Sequence, residues 1–252
     1  MNKSLEKELV CGINAVSQIV HVRPKSVTSL YFHKSQNQRI KNLVEKASEL
    51  GIDIVEKDSA FFEKNFSDLN HQKVAISCNR RTEEAEKYIE TLLNKEDLTI
   101  LILEGITDPH NVGACLRSAA GADVDAVIVP KNRSCHLTPV VRKISTGASE
   151  LIPFVVVTNL VRTINNLQKN GVMIYGADLS ATEFHDEVKY SRKKGIVIGS
   201  EDKGIRKLTR ENCDHLVKIN MSERIDSLNA SVSTGILLFE MRRQIKINSD
   251  QI

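Results

Sequence analysis

The sequence predicts an α/β protein: a mostly parallel sheet with helices on both faces, preceded by a smaller α/β unit. Three observations carry this. From residue 98 onward six short apolar runs follow one another: LTILILEG, DAVIVP, IPFVVV, VMIYGAD, GIVIGS and HLVKINM. They lack the alternation of half-exposed strands, and continuous runs of this kind are buried on both faces, as in parallel sheets. Helical patterns fit between and after them, for instance NLVRTINNLQKNG and a last one over GILLFEMRRQIK, as covered sheets require. Finally, the texture before residue 80 is different, with a more polar mixture of elements.

In that first stretch GINAVSQIV reads as a helix and VTSLYFH as a strand. RIKNLVEKASELG reads as an amphipathic helix stopped by Gly51. DIVEK and VAISC read as two further strands. RRTEEAEKYIETLLNKED is polar and charged, the composition of a partly helical linker. The expected organisation is therefore a first domain over 1–80, a linker over 81–97 and a second domain over 98–252.

At 252 residues, 41% hydrophobic and 27% charged, the composition is that of an ordinary globular protein. The start, MNKSLEKELV, lacks the apolar core of a signal peptide. No run approaches the ~18 apolar residues of a membrane span, so the expected location is the cytoplasm. Five cysteines are scattered without a Cys-x-x-Cys pair and seven histidines without a His-x-x-x-His pair, so no metal site is expected. A net charge of +3 is too mild to specify a nucleic-acid partner. The basic residues are nevertheless clustered: Arg80-Arg81, Lys131 with Arg133, Arg142-Lys143, Arg192-Lys193-Lys194, and Lys203 with Arg206, Lys207 and Arg210. Several such clusters raise the expectation that some follow a phosphate backbone. With 4% aromatics and no tryptophan, a base-stacking platform is disfavoured.

Ligands of open parallel sheets bind beyond the carboxyl ends of the strands, and three of those ends carry unusual polar loops. The first is EGITDPHNVGACLR. Pro109 and Asn111 suit a helix start, and a helix from about Val112 places Val112, Cys115, Leu116 and Ala119 on its apolar face. Gly113, Arg117, Ala120 and Gly121 then share a face stripped of bulk, where a second surface can approach Arg117. The second loop is GSEDKG, with Gly199, Glu201 and Gly204, and the third is NMSERIDSLNASVSTG. Taken singly each has an ordinary explanation: glycines make turns, and Ser227, Asn229 or Ser231 can simply cap the final helix. Neither a Gly-x-Gly-x-x-Gly fingerprint nor a P-loop occurs. Three such loops, each after a buried strand, are far more specific than one.

NVGACLR, IVIGSEDKGI and INMSERIDSLNASVSTGI resemble the three motifs of the SpoU, or TrmH-like, RNA ribose 2′-O-methyltransferases of the SPOUT class. The resemblance covers nearly the whole chain. It implies S-adenosylmethionine as cofactor, a deep trefoil knot formed by the second and third loops, a homodimer, and an L30e-like RNA substrate-binding domain over 1–80. VPKNRS and SxGASE between the first two motifs are most similar to members that modify a guanosine of 23S ribosomal RNA. By position, the family's catalytic residues fall on Asn111, Arg117, Glu201, Ser227 and Asn229, and its cofactor contacts on Gly199, Ile219, Met221 and Leu228. Asp202, Asn220 and Glu223 depart from the family's usual glycine, proline and glycine. A tRNA ribose methylase and a non-catalytic RNA-binding or ribosome-assembly protein on the same scaffold are the alternatives.

Overall fold

The computed structural model describes residues 7–34, 37–67, 69–222 and 224–249. The chain divides into two compact units, one ending at Thr82 and one beginning at Glu83. Among the described residues no helix is long and apolar enough to cross a membrane.

The first unit runs β1 (Lys7–Cys11), α1 (Ile13–Val22), β2 (Val27–Phe32), α2 (Gln38–Glu49), β3 (Asp53–Glu56), α3 (Ser59–Phe66) and β4 (Val74–Asn79). Its four strands lie in the order β1-β4-β2-β3, with only the β2–β3 pair parallel. Ile13, Val16, Ile19 and Val20 of α1 pack on Leu30 and Ile76 of the sheet. α2 begins where Asn37 accepts the amide of Arg39, and the chain leaves it through Gly51 at φ +70°, a backbone shape glycine adopts without steric cost. β1 and α3 carry too few periodic residues to stand out in the sequence. Asp58 starts α3 by accepting the amide of Phe61, and Phe62 and Phe66 bury its inner face.

The second unit continues with β5 (Glu84–Ala85), a 3-10 turn over Glu86–Thr91, β6 (Leu98–Leu103), α4 (Pro109–Gly121), β7 (Ala126–Pro130), α5 (Pro139–Ile144), α6 (Ala148–Leu151) and β8 (Phe154–Val157). There follow α7 (Leu160–Lys169), β9 (Met173–Ala177), β10 (Glu183–Phe184), β11 (Lys193–Ile198), α8 (Lys207–Glu211), β12 (His215–Lys218) and α9 (Ala230–Ser249). The eight strands form one sheet in the order β10-β12-β9-β11-β6-β7-β8-β5, and every pairing is parallel. All six predicted strands of this half are present. β11 enters between β9 and β6, both earlier in the chain.

The period of two along each strand sorts the apolar runs into two cores. Leu101, Leu103, Val127, Val129, Ile196 and Ile198 face α4 and α9, whereas Leu98, Ile100, Ile102, Ala126, Ile128 and Val197 face α7. This is why the runs do not alternate in polarity: both faces of β6 and β7 are dry.

The expected linker over 81–97 is not one. Glu84–Ala85 pairs in parallel with β8, Ile89 and Leu92 are buried, and Glu86 bonds both Arg162 at 3.0 Å and Thr163 at 2.9 Å. Its charges serve to anchor it to the second unit. Arg192, one of the clustered cations, grips Asp97 at 2.8 and 2.9 Å, and Lys193 donates to the carbonyl of Leu93 at 2.8 Å. Lys194 is buried and donates to the carbonyls of Ser191 and Arg192; burial pushes its amine below its ordinary pKa. That cluster clasps the amino ends of the two central strands β6 and β11.

α4 also corrects an expectation. Its apolar face is buried as predicted, but Gly113 on the supposedly bare face is buried too. A Cβ there would lie 2.8 Å from Cβ and Cγ2 of Ile144 and 3.1 Å from the carbonyl of Val141, because α5 packs directly on it. On the same helix a Cβ at Gly121 would come within 3.3 Å of Phe239 of α9. Alanine normally improves a helix interior by about 1 kcal/mol over glycine. Gly113→Ala is expected to do the reverse, since overpacking against a β-branched side chain costs about 1–3 kcal/mol. A lower urea midpoint at unchanged slope checks this; a higher one would show that α4 and α5 part freely.

Candidate active site

The three polar loops leave the carboxyl ends of β6, β11 and β12, and the fold brings them together. The first enters α4 with Asp108 as its cap, accepting the amide of His110 at 3.0 Å, and with Pro109 in the first turn. Asn111 is therefore not the cap that its position suggested. Its side chain is left to reach out of the helix, and its Nδ2 donates to Oε1 of Glu201 at 2.9 Å.

Glu201 sits in the second loop, which folds tightly on itself. The amide of Gly204 donates to the carbonyl of Ser200 at 2.8 Å, and Gly204 takes φ +60°. A Cβ on Gly199 would lie 2.0 Å from the carbonyl carbon of Gly204, so no side chain fits there. Asp202 is not among the residues with left-handed backbone, so its departure from glycine carries no strain. The loop is held from below by Glu104, buried at the end of β6, which accepts the amide of Arg206 at 2.9 Å and the hydroxyl of Thr209 at 2.7 Å. Sequence reasoning missed Glu104; its signal was a lone acid closing an apolar strand.

In the third loop Asn229 does two things at once. Its Oδ1 caps α9 by accepting the amide of Ser231 at 2.9 Å and its hydroxyl at 2.6 Å. Its Nδ2 donates to Glu201 Oε1 at 2.6 Å and to Asn111 Oδ1 at 2.9 Å. With the amide of Ala230 at 3.3 Å, one oxygen of Glu201 collects three N–H donors. Asn111, Glu201 and Asn229 thus form a closed hydrogen-bonded triangle. Asn220 is exposed, and Glu223 lies outside the described residues.

The loop Ser200–Gly204 is a shared wall of two cavities. One, of about 400 Å³, is lined by Gly199, Ile219, Met221 and Leu228, with Ser227 at its margin. The other, of about 570 Å³, is lined by Glu104, Asn111, Arg133, Glu201 and Arg206. Ser227 is exposed and makes no hydrogen bond to the triangle. Arg117 lines neither cavity. It stands exposed on α4, without a hydrogen bond or ion pair among the described residues. Of the five residues expected to be catalytic, the structure joins three.

The remaining nucleophiles and cations sort quickly. Burial pushes the thiols of Cys115 and Cys213 up to about 11 and about 12, leaving both inert. Arg142 is paired with the buried Glu150 at 3.4 Å. Among the described residues no His, Cys, Asp and Glu side chains are grouped to hold a metal.

Two family models match this chain: the SpoU rRNA Methylase family over residues 98–239, and the RNA 2′-O ribose methyltransferase substrate-binding domain over residues 9–83. The chain belongs to the SpoU rRNA methylase family. Among curated SpoU relatives, the 23S rRNA (guanosine-2′-O-)-methyltransferase RlmB of Coxiella burnetii is 42% identical over 238 residues, covering 93% of this chain and 95% of that protein. The enzyme of the same name from Pseudomonas putida is 39% identical, covering 95% of this chain and 98% of its own. Among solved structures, the SpoU methyltransferase AviRb from Streptomyces viridochromogenes, in complex with AdoMet, shares the fold with a TM-score of 0.76 at 19% identity, covering 96% of this chain and 91% of its own.

One titrating group steadies the second cavity. Nδ1 of His136 lies 3.0 Å from Glu83 and its Nε2 lies 3.0 Å from the carbonyl of Lys131. Both neighbours only accept, so only the doubly protonated ring satisfies both contacts. The hydrogen bond to Glu83 accordingly raises the imidazole above its ordinary 6.5. A raised folded value means stabilisation that is fully present below pH ~6.5 and lost as pH climbs through the folded pKa. The unfolding midpoint of the protein should therefore decline above about pH 6.5 more steeply than that of His136→Gln. Parallel pH profiles would mean that the contact contributes nothing.

Proposed function

We propose that this protein transfers a methyl group from S-adenosylmethionine to the 2′-hydroxyl of a guanosine in 23S ribosomal RNA. The observation that carries the reading is the Asn111–Glu201–Asn229 triangle, set on the wall between the two cavities. The smaller cavity falls within the usual range of ligand pockets, ~300–1,000 Å³. Its lining suits the cofactor: Ile219, Met221 and Leu228 offer apolar surface, Asp178 and Ser180 offer polar atoms, and Gly199 allows the closed loop. The cofactor, when bound, supplies a methyl group on a positively charged sulfur.

The chain's own task is then to place a ribose oxygen and manage its proton. Glu201 orients Asn111 and Asn229 while keeping a second carboxylate oxygen free of these three bonds. Fixing such geometry supplies much of the rate in transfers of this kind. A guanidinium donates and does not accept, so the part of Arg117 is electrostatic: holding phosphate and stabilising charge that develops on the attacking oxygen.

Because Arg117 lies outside both cavities, its role calls for a homodimer in which the site is completed by the partner. The surface beside it supports this. Val232 and Phe239 of α9 are about half exposed, and Ser118 and Gly121 of α4 meet Gly235 and Phe239 there. The first unit, which matches the substrate-binding model, recruits the RNA.

Labelled-methyl transfer to purified 23S rRNA, followed by mapping of the modified nucleotide, tests the reading; label appearing only in tRNA would overturn it. Gly199→Ala should already abolish cofactor binding in calorimetry, since even one methyl has no space. Arg117→Ala should keep the fold and cofactor affinity and lose about 100-fold in methyl transfer, the scale of one transition-state donor. Normal turnover in that variant would leave Arg117 a solvated helix arginine.

A further inference from the structure

We propose that Arg133 and Arg206 grip the phosphodiester backbone beside the target nucleotide, a proposal that rests on the RNA methyltransferase reading. Most other arginines of the second unit are already committed. Arg142 is held by Glu150, Arg162 by Glu86, Arg192 by Asp97, Arg210 by Asp178 and Arg243 by Glu240. Arg133 and Arg206 differ. Both are exposed, both line the larger cavity with Asn111 and Glu201, and neither guanidinium has a partner among the described residues.

The backbone of Arg133 adds a second argument. It sits at φ +59°, a conformation that glycine or asparagine enters more cheaply than arginine. Arginine at this position carries a backbone cost that the turn alone does not require. The loop that presents it is pinned at both ends. The amide of Lys131 donates to Val157 at 2.8 Å, its carbonyl receives His136, and the amide of Cys135 donates to Ile106 at 2.9 Å. Arg206 is fixed in its turn by the bond from its amide to buried Glu104.

What this cavity offers an incoming anion is free hydrogen-bond donors on its cations. Its cations are Arg133, Lys203 and Arg206, and its carboxylates are Glu104, Asp108, Glu201 and Asp202. Three of those four carboxylates already accept N–H or O–H donors from the chain, while the cations make no such bonds. Guanidinium forks match the paired oxygens of a phosphodiester. The chemistry of RNA supplies the rest. The 2′-hydroxyl and the 3′-phosphate sit on adjacent ribose carbons, so a ribose presented to the Glu201 triangle brings its phosphate into the same cavity.

Arg133→Gln, Arg206→Gln and the double variant test this, with Arg162→Gln as a control whose side chain is already paired outside the cavity. At saturating cofactor, each single variant should raise KM for a 23S rRNA fragment about tenfold, the scale of a lost charged hydrogen bond, with S-adenosylmethionine affinity unchanged. In filter binding, each should also reduce the salt dependence of log K for RNA by roughly 0.7–1, one phosphate contact apiece. Arg133→Lys should restore the salt slope but not KM, because the charge returns without the fork. If Arg133→Gln does not fold, Arg206→Gln carries the same test alone. Unchanged KM and slope in the folded variants overturn the clamp. If the unaltered protein binds RNA but transfers no methyl, the methyltransferase reading fails and the salt slopes still decide the clamp; if it binds no RNA, both fall.

Discussion

A single carboxylate oxygen organises this molecule's candidate site. Oε1 of Glu201 receives Nδ2 of Asn111, Nδ2 of Asn229 and the amide of Ala230. With Glu201 itself these groups come from three loops that leave three different strands, and the donors lie 90, 28 and 29 residues away in the chain. An ionised acceptor makes such bonds roughly twice as strong as neutral ones. The carboxylate therefore does more than sit near the site: it fixes the first turn of α4, the start of α9 and the tight loop between β11 and α8 against one another. The cofactor-sized cavity and the larger one share that loop as a wall.

The sheet makes this meeting possible. Because all eight strands run parallel, their carboxyl ends face one way and every strand-to-helix loop emerges on that side. Placing β11 between β9 and β6 sets the Glu201 loop next to the one after β6. Glu104 completes the junction from beneath, tying the end of β6 to the start of α8 through two hydrogen bonds. Loops carry the chemistry while buried strands carry the geometry, the usual division of labour in such folds.

The sequence was legible where local physics decides. Apolar runs buried on both faces can hardly be other than parallel strands, and all six predicted in the second half are present. The polar loops were legible for the same reason: Asn111, Glu201 and Asn229 interrupt patterns that otherwise explain themselves, and the structure joins them. Charge was the weaker guide. The stretch over 81–97 has the composition of a linker, yet Glu86 and Asp97 pair with Arg162 and Arg192, and Ile89 and Leu92 reach the core. The helical wheel around Arg117 showed small residues but not that α5 fills the space at Gly113.

What the sequence determined by itself is the set of strands and helices, their two-sided burial and the identity of the polar residues, because period and propensity act over a few neighbours. What only the tertiary structure decided is which of those residues touch. Asn229 is a helix cap by local rules and a member of the triangle only because the loop after β12 reaches across β9 to the Glu201 loop. Arg133 and Arg142 look alike along the chain, yet one faces a cavity unpaired and the other is sealed against Glu150. Those outcomes depend on strand order and on contacts between residues far apart, to which no local pattern is sensitive.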